Sequence, residues 1–163
     1  MPVDAMIRSA SARDARRIHR LIARYTAEGR LLPRTLGDVT EHADRFVVAM
    51  VRGRVVACAE LAPLGVAVAE VRSLVVGARY RGAGLGHRLV DELRRRARLQ
   101  GFDSLCAFVH DADYFARLGF SMVPHALIPE KIEADCRQCP LFGRCGQYAM
   151  TTGLAPPVES RPY

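Results

Sequence analysis

Glu70-Val71-Arg72-Ser73-Leu74-Val75-Val76 runs through Gly77 and Ala78 into Arg79-Tyr80-Arg81-Gly82-Ala83-Gly84-Leu85-Gly86, and the order of these two pieces decides the fold. The first piece is apolar and rich in β-branched residues, which predicts a strand. After the second, Leu85, Leu89, Leu93 and Ala97 recur at helical spacing with Arg88, Asp91, Glu92 and Arg95 between them, which predicts an amphipathic helix ending near Gly101. A glycine turn between a strand and a helix lets backbone N–H groups approach an anion, and the helix N-terminus adds roughly half a positive charge there. Side chains would block that approach, hence the interest of Gly82, Gly84 and Gly86. Arg79 and Arg81 can add charge-assisted hydrogen bonds. A Walker A loop is excluded because Gly86 is followed by His87 instead of Lys-Ser/Thr. A Rossmann fingerprint is excluded by the glycine spacing and by the place of the loop in the chain.

Working outward, residues Ala5 to Ser9 predict a short strand, and Ser11-Ala12-Arg13-Asp14 has the form of a capping box. Ile18, Leu21, Ile22 and Tyr25 then follow at helical spacing, with Gly29 as a stop. A second short helix is expected from Thr35 to His42. Phe46 to Val51 and Val55 to Leu61 read as the arms of a hairpin turning at Arg52-Gly53. Beyond the long helix come a strand from Leu105 to Val109, a short helix from Asp113 to Leu118 and a strand from Phe120 to Val123. Residues 1–150 read as one α/β domain with no internal repeat or linker, and 151–163, with three prolines, as a flexible tail.

Composition narrows the setting. The chain has 163 residues, 50% hydrophobic and 25% charged, which suits one globular domain. No apolar run approaches the ~18 residues that span a bilayer, and the N-terminus lacks the pattern of a signal peptide. The expectation is a cytoplasmic protein without a membrane partner. Cys58 and Cys106 fall inside strand-like runs and the cysteine count of five is odd, so reduced thiols are expected over a disulfide framework. The formal charge is +7, almost all of it arginine, since Lys131 is the single lysine. Few aromatics interleave with these arginines, so a solvated basic surface is expected and nucleic acid is not.

Arg81-Gly82-Ala83-Gly84-Leu85-Gly86, placed after the strand at Glu70 to Val76, resembles the acetyl-CoA loop of the GNAT superfamily of N-acetyltransferases, whose pattern Arg81, Gly84 and Gly86 satisfy. Phe115-Ala116-Arg117-Leu118-Gly119-Phe120 resembles the later helix-to-strand motif of the same superfamily. The resemblance implies an α/β GNAT fold: a central mixed β-sheet splayed in a V with flanking helices. It implies acetyl-CoA as acetyl donor, held by Leu74, Val75, Val76, Arg79, Arg81, Gly82, Ala83, Gly84, Leu85 and Gly86. Backbone N–H groups near Leu74 to Val76 would take the pantetheine arm and could stabilise an oxyanion. It is also compatible with a homodimer.

A closer likeness is to the acetyltransferase domain of N-acetylglutamate synthase in its short form without a kinase domain. The pieces are Gly29-Arg30-Leu31-Leu32-Pro33-Arg34, Glu70-Val71-Arg72-Ser73-Leu74, Tyr114 to Phe120, Leu127-Ile128-Pro129-Glu130-Lys131 and Asp135-Cys136-Arg137-Gln138-Cys139-Pro140. This likeness implies L-glutamate as acceptor and a place at the opening of arginine biosynthesis. Two substrate carboxylates call for cationic forks, for which Arg34, Arg72 and Lys131 are the candidates. Losing one carboxylate from the substrate would then be penalised by on the order of 10⁴. Ion pairing within the protein is the alternative for each. The amine must lose a proton, and Glu70, opening an apolar strand where desolvation favours the neutral carboxyl, is the candidate base.

The superfamily often has a tyrosine four residues before the Gly-Phe pair to protonate the thiolate. Here Phe115 stands at that position and Tyr114 is turned about 100° away. Ser73, His110, Asp111 or a water are left as donors. Cys136, Cys139 and Cys145 form a compact group of thiols with His125 as the nearest upstream histidine, but no metal is expected and zinc stays a minority alternative. The competing functions are a GNAT enzyme acting on glutamine, a protein N-terminus or another small amine, and a non-catalytic CoA-binding module.

Overall fold

A computed structural model describes residues 3–28, 31, 33–140 and 145–155. Its strands are β1 (Met6–Ser9), β2 (Phe46–Val51), β3 (Arg54–Pro63), β4 (Val68–Val76), β5 (Ser104–Val109), β6 (Ser121–Val123) and β7 (Tyr148–Gly153). Its helices are α1 (Ala15–Ala27), α2 (Leu36–Glu41), α3 (Leu85–Leu99), α4 (Ala112–Arg117) and the single turn α5 (Pro129–Lys131), which continues as a π turn over Ile132–Cys136. The strands form a mixed seven-stranded sheet in the order β1-β2-β3-β4-β5-β7-β6. The β4–β5 pair is parallel, whereas β1–β2, β2–β3, β5–β7 and β6–β7 are antiparallel. The chain divides into two compact units.

The first unit comprises Met1–Ala62 and Val71–Leu93. Its core gathers Ile18, Ile22 and Tyr25 from α1, Val39 from α2, Phe46 and Val48 from β2, Cys58 from β3 and Val75 from β4. The i, i+4, i+7 spacing on α1 places those three side chains on one stripe. The capping box before α1 is present, with Asp14 accepting from the Ser11 N–H at 2.9 Å. Asp14 also accepts two bonds from Arg8, at 2.8 and 2.9 Å. The hydrogen bonds from Arg8 are the main reason why the Asp14 pKa falls to about 2, against the opposing pull of burial. Arg52 (φ 49°) and Gly53 (φ 75°) turn the β2–β3 hairpin in the left-handed region, as a two-residue turn between twisted strands requires.

The second unit comprises Pro63–Glu70 and Arg94–Tyr163. β5 is its spine: Val68, Ala69 and Glu70 pair with Ser104, Leu105 and Cys106 on one edge, and all of β7 pairs on the other. Cys106, Ile128 and Ala149 form its core with Phe108 and Val123 packed against them. Gly119 has φ 94°, and a Cβ there would come within 3.1 Å of the Arg94 guanidinium. That guanidinium donates to the Leu118 carbonyl and lies 5.4 Å over the Phe120 ring, so the Leu-Gly-Phe corner needs its glycine twice over.

The structure changes two expectations. The segment from Thr151 is not tail at its start, because Thr151, Thr152 and Gly153 pair with Cys106, Leu105 and Ser104. Residues 156–163 lie outside the described residues, as do Gly29, Arg30 and Leu32. The helical stretch from Pro129 to Cys136, which carries Lys131, has no counterpart among the expected elements. No helix among the described residues is long and apolar enough to cross a membrane.

Candidate active site

In the first unit the site begins with a fault in a strand. Ser73 sits in β4 with φ 51°, a left-handed conformation that costs an ordinary residue about 1–3 kcal/mol. Two neighbours hold it there. Arg34 Nη1 donates to Ser73 Oγ at 2.9 Å, and the Cys58 thiol donates to the Ser73 carbonyl at 3.5 Å. Burial pushes the Cys58 pKa up to about 12, which makes this thiol a structural donor and not a nucleophile.

Beyond the fault, β4 ends where the Gly77 N–H donates to the Val56 carbonyl at 2.8 Å. A Cβ on Gly77 would approach that carbonyl oxygen to 3.0 Å, so glycine permits the close passage. A 3-10 turn (Ala78–Tyr80) leads to Gly82 and Gly84, with φ 80° and 79°. The Cβ direction of each faces open space, so no protein atom fills the ground these glycines leave clear. The 15-residue α3 starts directly after, with its first N–H groups lacking intrahelical partners. Leu85 is buried and anchors this end of the helix. Arg79 and Arg81 are exposed. Arg81 bends back, donating from Nε to the Val76 carbonyl at 3.3 Å, with its guanidinium 4.9 Å over the Tyr25 ring. Tyr25 donates to the same carbonyl at 3.2 Å.

Arg34 is itself held fast. Its Nε donates to Asp38 at 2.5 Å, and Nη1 and Nη2 reach the Glu60 carboxylate at 2.8 and 3.5 Å. Glu60 is 1% exposed. Burial acts to lower the Arg34 pKa, but the Glu60 and Asp38 carboxylates together outweigh it and the net shift is upward. Glu60 was not singled out in the sequence, though a signal was there: a carboxylate inside Ala57-Cys58-Ala59-Glu60-Leu61-Ala62 has to find a cation or a proton.

In the second unit Glu70 is 2% exposed. Lys131 Nζ lies 3.1 and 3.0 Å from its two oxygens and 2.8 Å from Asp135, and sits 5.1 Å over the Phe108 ring. Lysine and aspartate are four residues apart on the irregular turn from Pro129 to Cys136. The candidate base and one candidate clamp are thus brought together as an ion pair. Arg72, half-buried on β4, takes part in interactions of its own.

The possible acids fare unequally. Phe115 is buried edge-on to Phe120, with ring centroids 5.3 Å apart, where the superfamily tyrosine would stand. Asp111 caps α4, accepting from the Tyr114 N–H at 3.0 Å. His110 is exposed, and Tyr114 is half-buried, a placement that raises its pKa. Cys136 and Cys139 bracket a turn closed by a 3.0 Å backbone bond, and Cys145 is exposed, its thiol directed to Gln147. His125 bonds the Gln147 carbonyl at 2.9 Å. Among the described residues no group of three or more His, Cys, Asp or Glu side chains is gathered for a metal ion.

Comparison with known proteins places these features. The model of the acetyltransferase (GNAT) family matches residues 10–120, more than half of the chain. An uncharacterized N-acetyltransferase of Chlorobaculum tepidum is 32% identical over 93% of this chain and 97% of its own length. An amino-acid acetyltransferase of Mycobacterium tuberculosis is 30% identical over 72% of this chain and 69% of its own. One from Pseudomonas putida is 30% identical over 71% of this chain, which spans 27% of that relative's length. Among solved structures, N-acetylglutamate synthase of Neisseria gonorrhoeae, complexed with coenzyme A and N-acetyl-glutamate, superposes with a TM-score of 0.84 at 25% identity, over 95% of this chain and 36% of the other.

Proposed function

The chain belongs to the acetyltransferase (GNAT) family, and on that premise we propose that it acetylates the α-amine of a free amino acid, with L-glutamate the acceptor and N-acetyl-L-glutamate the product. The observation that carries the donor half is the pair of open glycines at the head of α3. Their Cβ directions are clear, and the helix behind them presents unpaired N–H groups and the positive end of its dipole. Acetyl-CoA supplies the activated acetyl group. The N–H groups from Gly82 to Gly86 hold its pyrophosphate, and the backbone of Leu74 to Val76 lies along its pantetheine arm.

The acceptor half rests on Glu70, with Lys131 beside it in space and Arg72 two residues on in sequence. Glu70 receives the ammonium proton, directly or through water, so that the amine attacks as a neutral nucleophile. Lys131, held to Glu70 and Asp135, gives that carboxylate a fixed orientation and meets a substrate carboxylate by exchanging one of those partners. Arg72 is the second candidate for a substrate carboxylate. Backbone N–H groups beyond the Ser73 fault donate to the developing oxyanion. The product, N-acetyl-L-glutamate, would place the chain at the opening of arginine biosynthesis.

The deciding experiment is CoA release from acetyl-CoA over a panel of free amino acids that includes glutamate, glutamine and aspartate. Preference for glutamate, lost in Arg72→Ala, supports the two-carboxylate reading. Turnover of glutamine alone removes the second clamp and favours the other reading, an amino acid with one carboxylate. That reading draws support from Arg34 and Lys131, both of which already face carboxylates of the protein. Tight CoA binding with no amino acid turned over would move the acceptor to another class of amine.

A further inference from the structure

We propose that Arg34 serves the reaction as a positioning residue: anchored by the buried Glu60, its guanidinium fixes the Ser73 hydroxyl and the kink of β4, and it does not grip a carboxylate of the acceptor. The inference rests on the acetyl-transfer reading and assigns Arg34 and Glu60 a part in it.

The donor inventory carries the argument. A guanidinium has five N–H bonds. Arg34 Nε is on Asp38, both Nη1 donors are accounted for by Glu60 and Ser73, and Nη2 faces the second Glu60 oxygen. One N–H remains, whereas a bidentate grip on an incoming carboxylate needs two. Releasing Glu60 is the costly alternative, because a carboxylate 1% exposed would be left buried without its cation. Charge points the same way. Glu60 and Asp38 already outnumber the guanidinium, so a third carboxylate would meet net repulsion.

What the guanidinium does instead is legible at Ser73. A left-handed serine inside a strand persists only where its surroundings over-determine it. Arg34 takes the side chain, and Cys58 takes the carbonyl. The residues that follow are Leu74, Val75 and Val76, whose backbone is the part proposed above to lie along the donor substrate. Its direction depends on the fold of the backbone at Ser73. Arg34 also stacks 5.7 Å over Phe46, which lies in the core, so the clamp is tied to the rigid part of β2. A misplacement of the order of 1 Å at a reacting centre costs about 100-fold in rate.

The two roles differ in what they do to kcat and KM. The test measures both for Arg34→Lys, Ser73→Ala and the double variant. The acceptor is whichever amine the unmodified chain turns over best, compared with its analogue lacking a carboxylate. A positioning residue lowers kcat by about 10- to 100-fold for every acceptor, with acceptor KM within about threefold and the preference between the two acceptors unchanged. The double variant is then no slower than the slower single one, since both remove the same link. A clamp gives the reverse: acceptor KM rises about tenfold or more with kcat kept, the preference collapses, and the effects of the two substitutions multiply. That result overturns the proposal. Should Arg34→Lys fail to fold, Glu60→Gln separates the roles, because relaxing the hold on the guanidinium would improve a clamp's affinity but slow a positioning residue at unchanged preference. Failure of the glutamate reading is a result of the unmodified chain, and failure of this one is a result of the variants.

Discussion

Glu60 in the first unit and Glu70 in the second are both almost wholly buried, yet they are held in opposite ways. Glu60 faces a planar arginine that is also fixed to Asp38, Ser73 and the Phe46 ring. Glu70 faces a lysine at the end of the single turn α5, paired further with an exposed aspartate. A guanidinium with four of its N–H bonds committed is part of the frame, whereas an ammonium on a flexible stem can exchange one partner for another. The lesson is that burial alone does not mark a carboxylate for chemistry. On the proposed reading, the partner's freedom to let go does.

The largest effect that sharpens this contrast is on rate. Glu70→Gln keeps the size and polarity of the side chain but cannot take a proton, and kcat should fall by about 10²- to 10⁴-fold. Steady-state kinetics near neutral pH read it, and near-normal turnover would move the base elsewhere. Next comes stability. Glu60→Ala leaves Arg34 buried without its main partner and should cost about 3–5 kcal/mol. Lys131→Ala also strips a buried carboxylate of its cation, but Glu70 takes part in a further interaction, and the cost should be smaller, about 1.5–3 kcal/mol. Urea unfolding of the two variants side by side gives the order, and a reversed order would break the comparison.

How far the sequence carried this picture depends on the range of the signal. α1, α3 and the β2–β3 hairpin were legible because their apolar spacing and turn residues act within a few positions of the chain. The glycine loop was legible because φ near +80° at Gly82 and Gly84 demands that residue type. Glu60 was passed over because its partner Arg34 is 26 residues away, and no local pattern pairs them. The last half of β7 reads as tail because Thr151 to Gly153 has little apolar pattern, and what makes it a strand is β5, more than forty residues earlier. Lys131 is legible by resemblance, but the single turn α5 that carries it and the π turn that brings Asp135 beside it have no composition of their own.

Smaller effects test the frame. Gly84→Ala forces a Cβ onto a left-handed residue, at about 1–2 kcal/mol, and places a methyl group in the open space proposed for the pyrophosphate. The KM for acetyl-CoA should rise about tenfold, equivalent to 1.4 kcal/mol of lost binding, with kcat at saturation little changed. Smallest is a pH effect. Asp14 has its pKa depressed from 3.8 to about 2 by Arg8, so its contribution is present above pH 3.8 and is lost as pH falls through about 2. Asp14→Asn should be less stable than the unmodified chain at neutral pH, by about 1–2 kcal/mol allowing for the part-exposed Arg8. The two should converge in acid, which denaturation midpoints at several pH values would show.

The place of β7 has a consequence for how the protein is made. The sheet order sets β7 between β5 and β6, although both are synthesised before it. While the chain is still emerging from the ribosome, β5 and β6 each carry an unanswered row of N–H and C=O groups facing a gap, and only the arrival of Tyr148–Gly153 closes it. Until then the second half of the sheet offers two open edges to any other strand in reach. A chain stopped short of Tyr148 would keep Glu70, Ser73 and the glycine loop in its sequence, yet present a sticky seam to its neighbours.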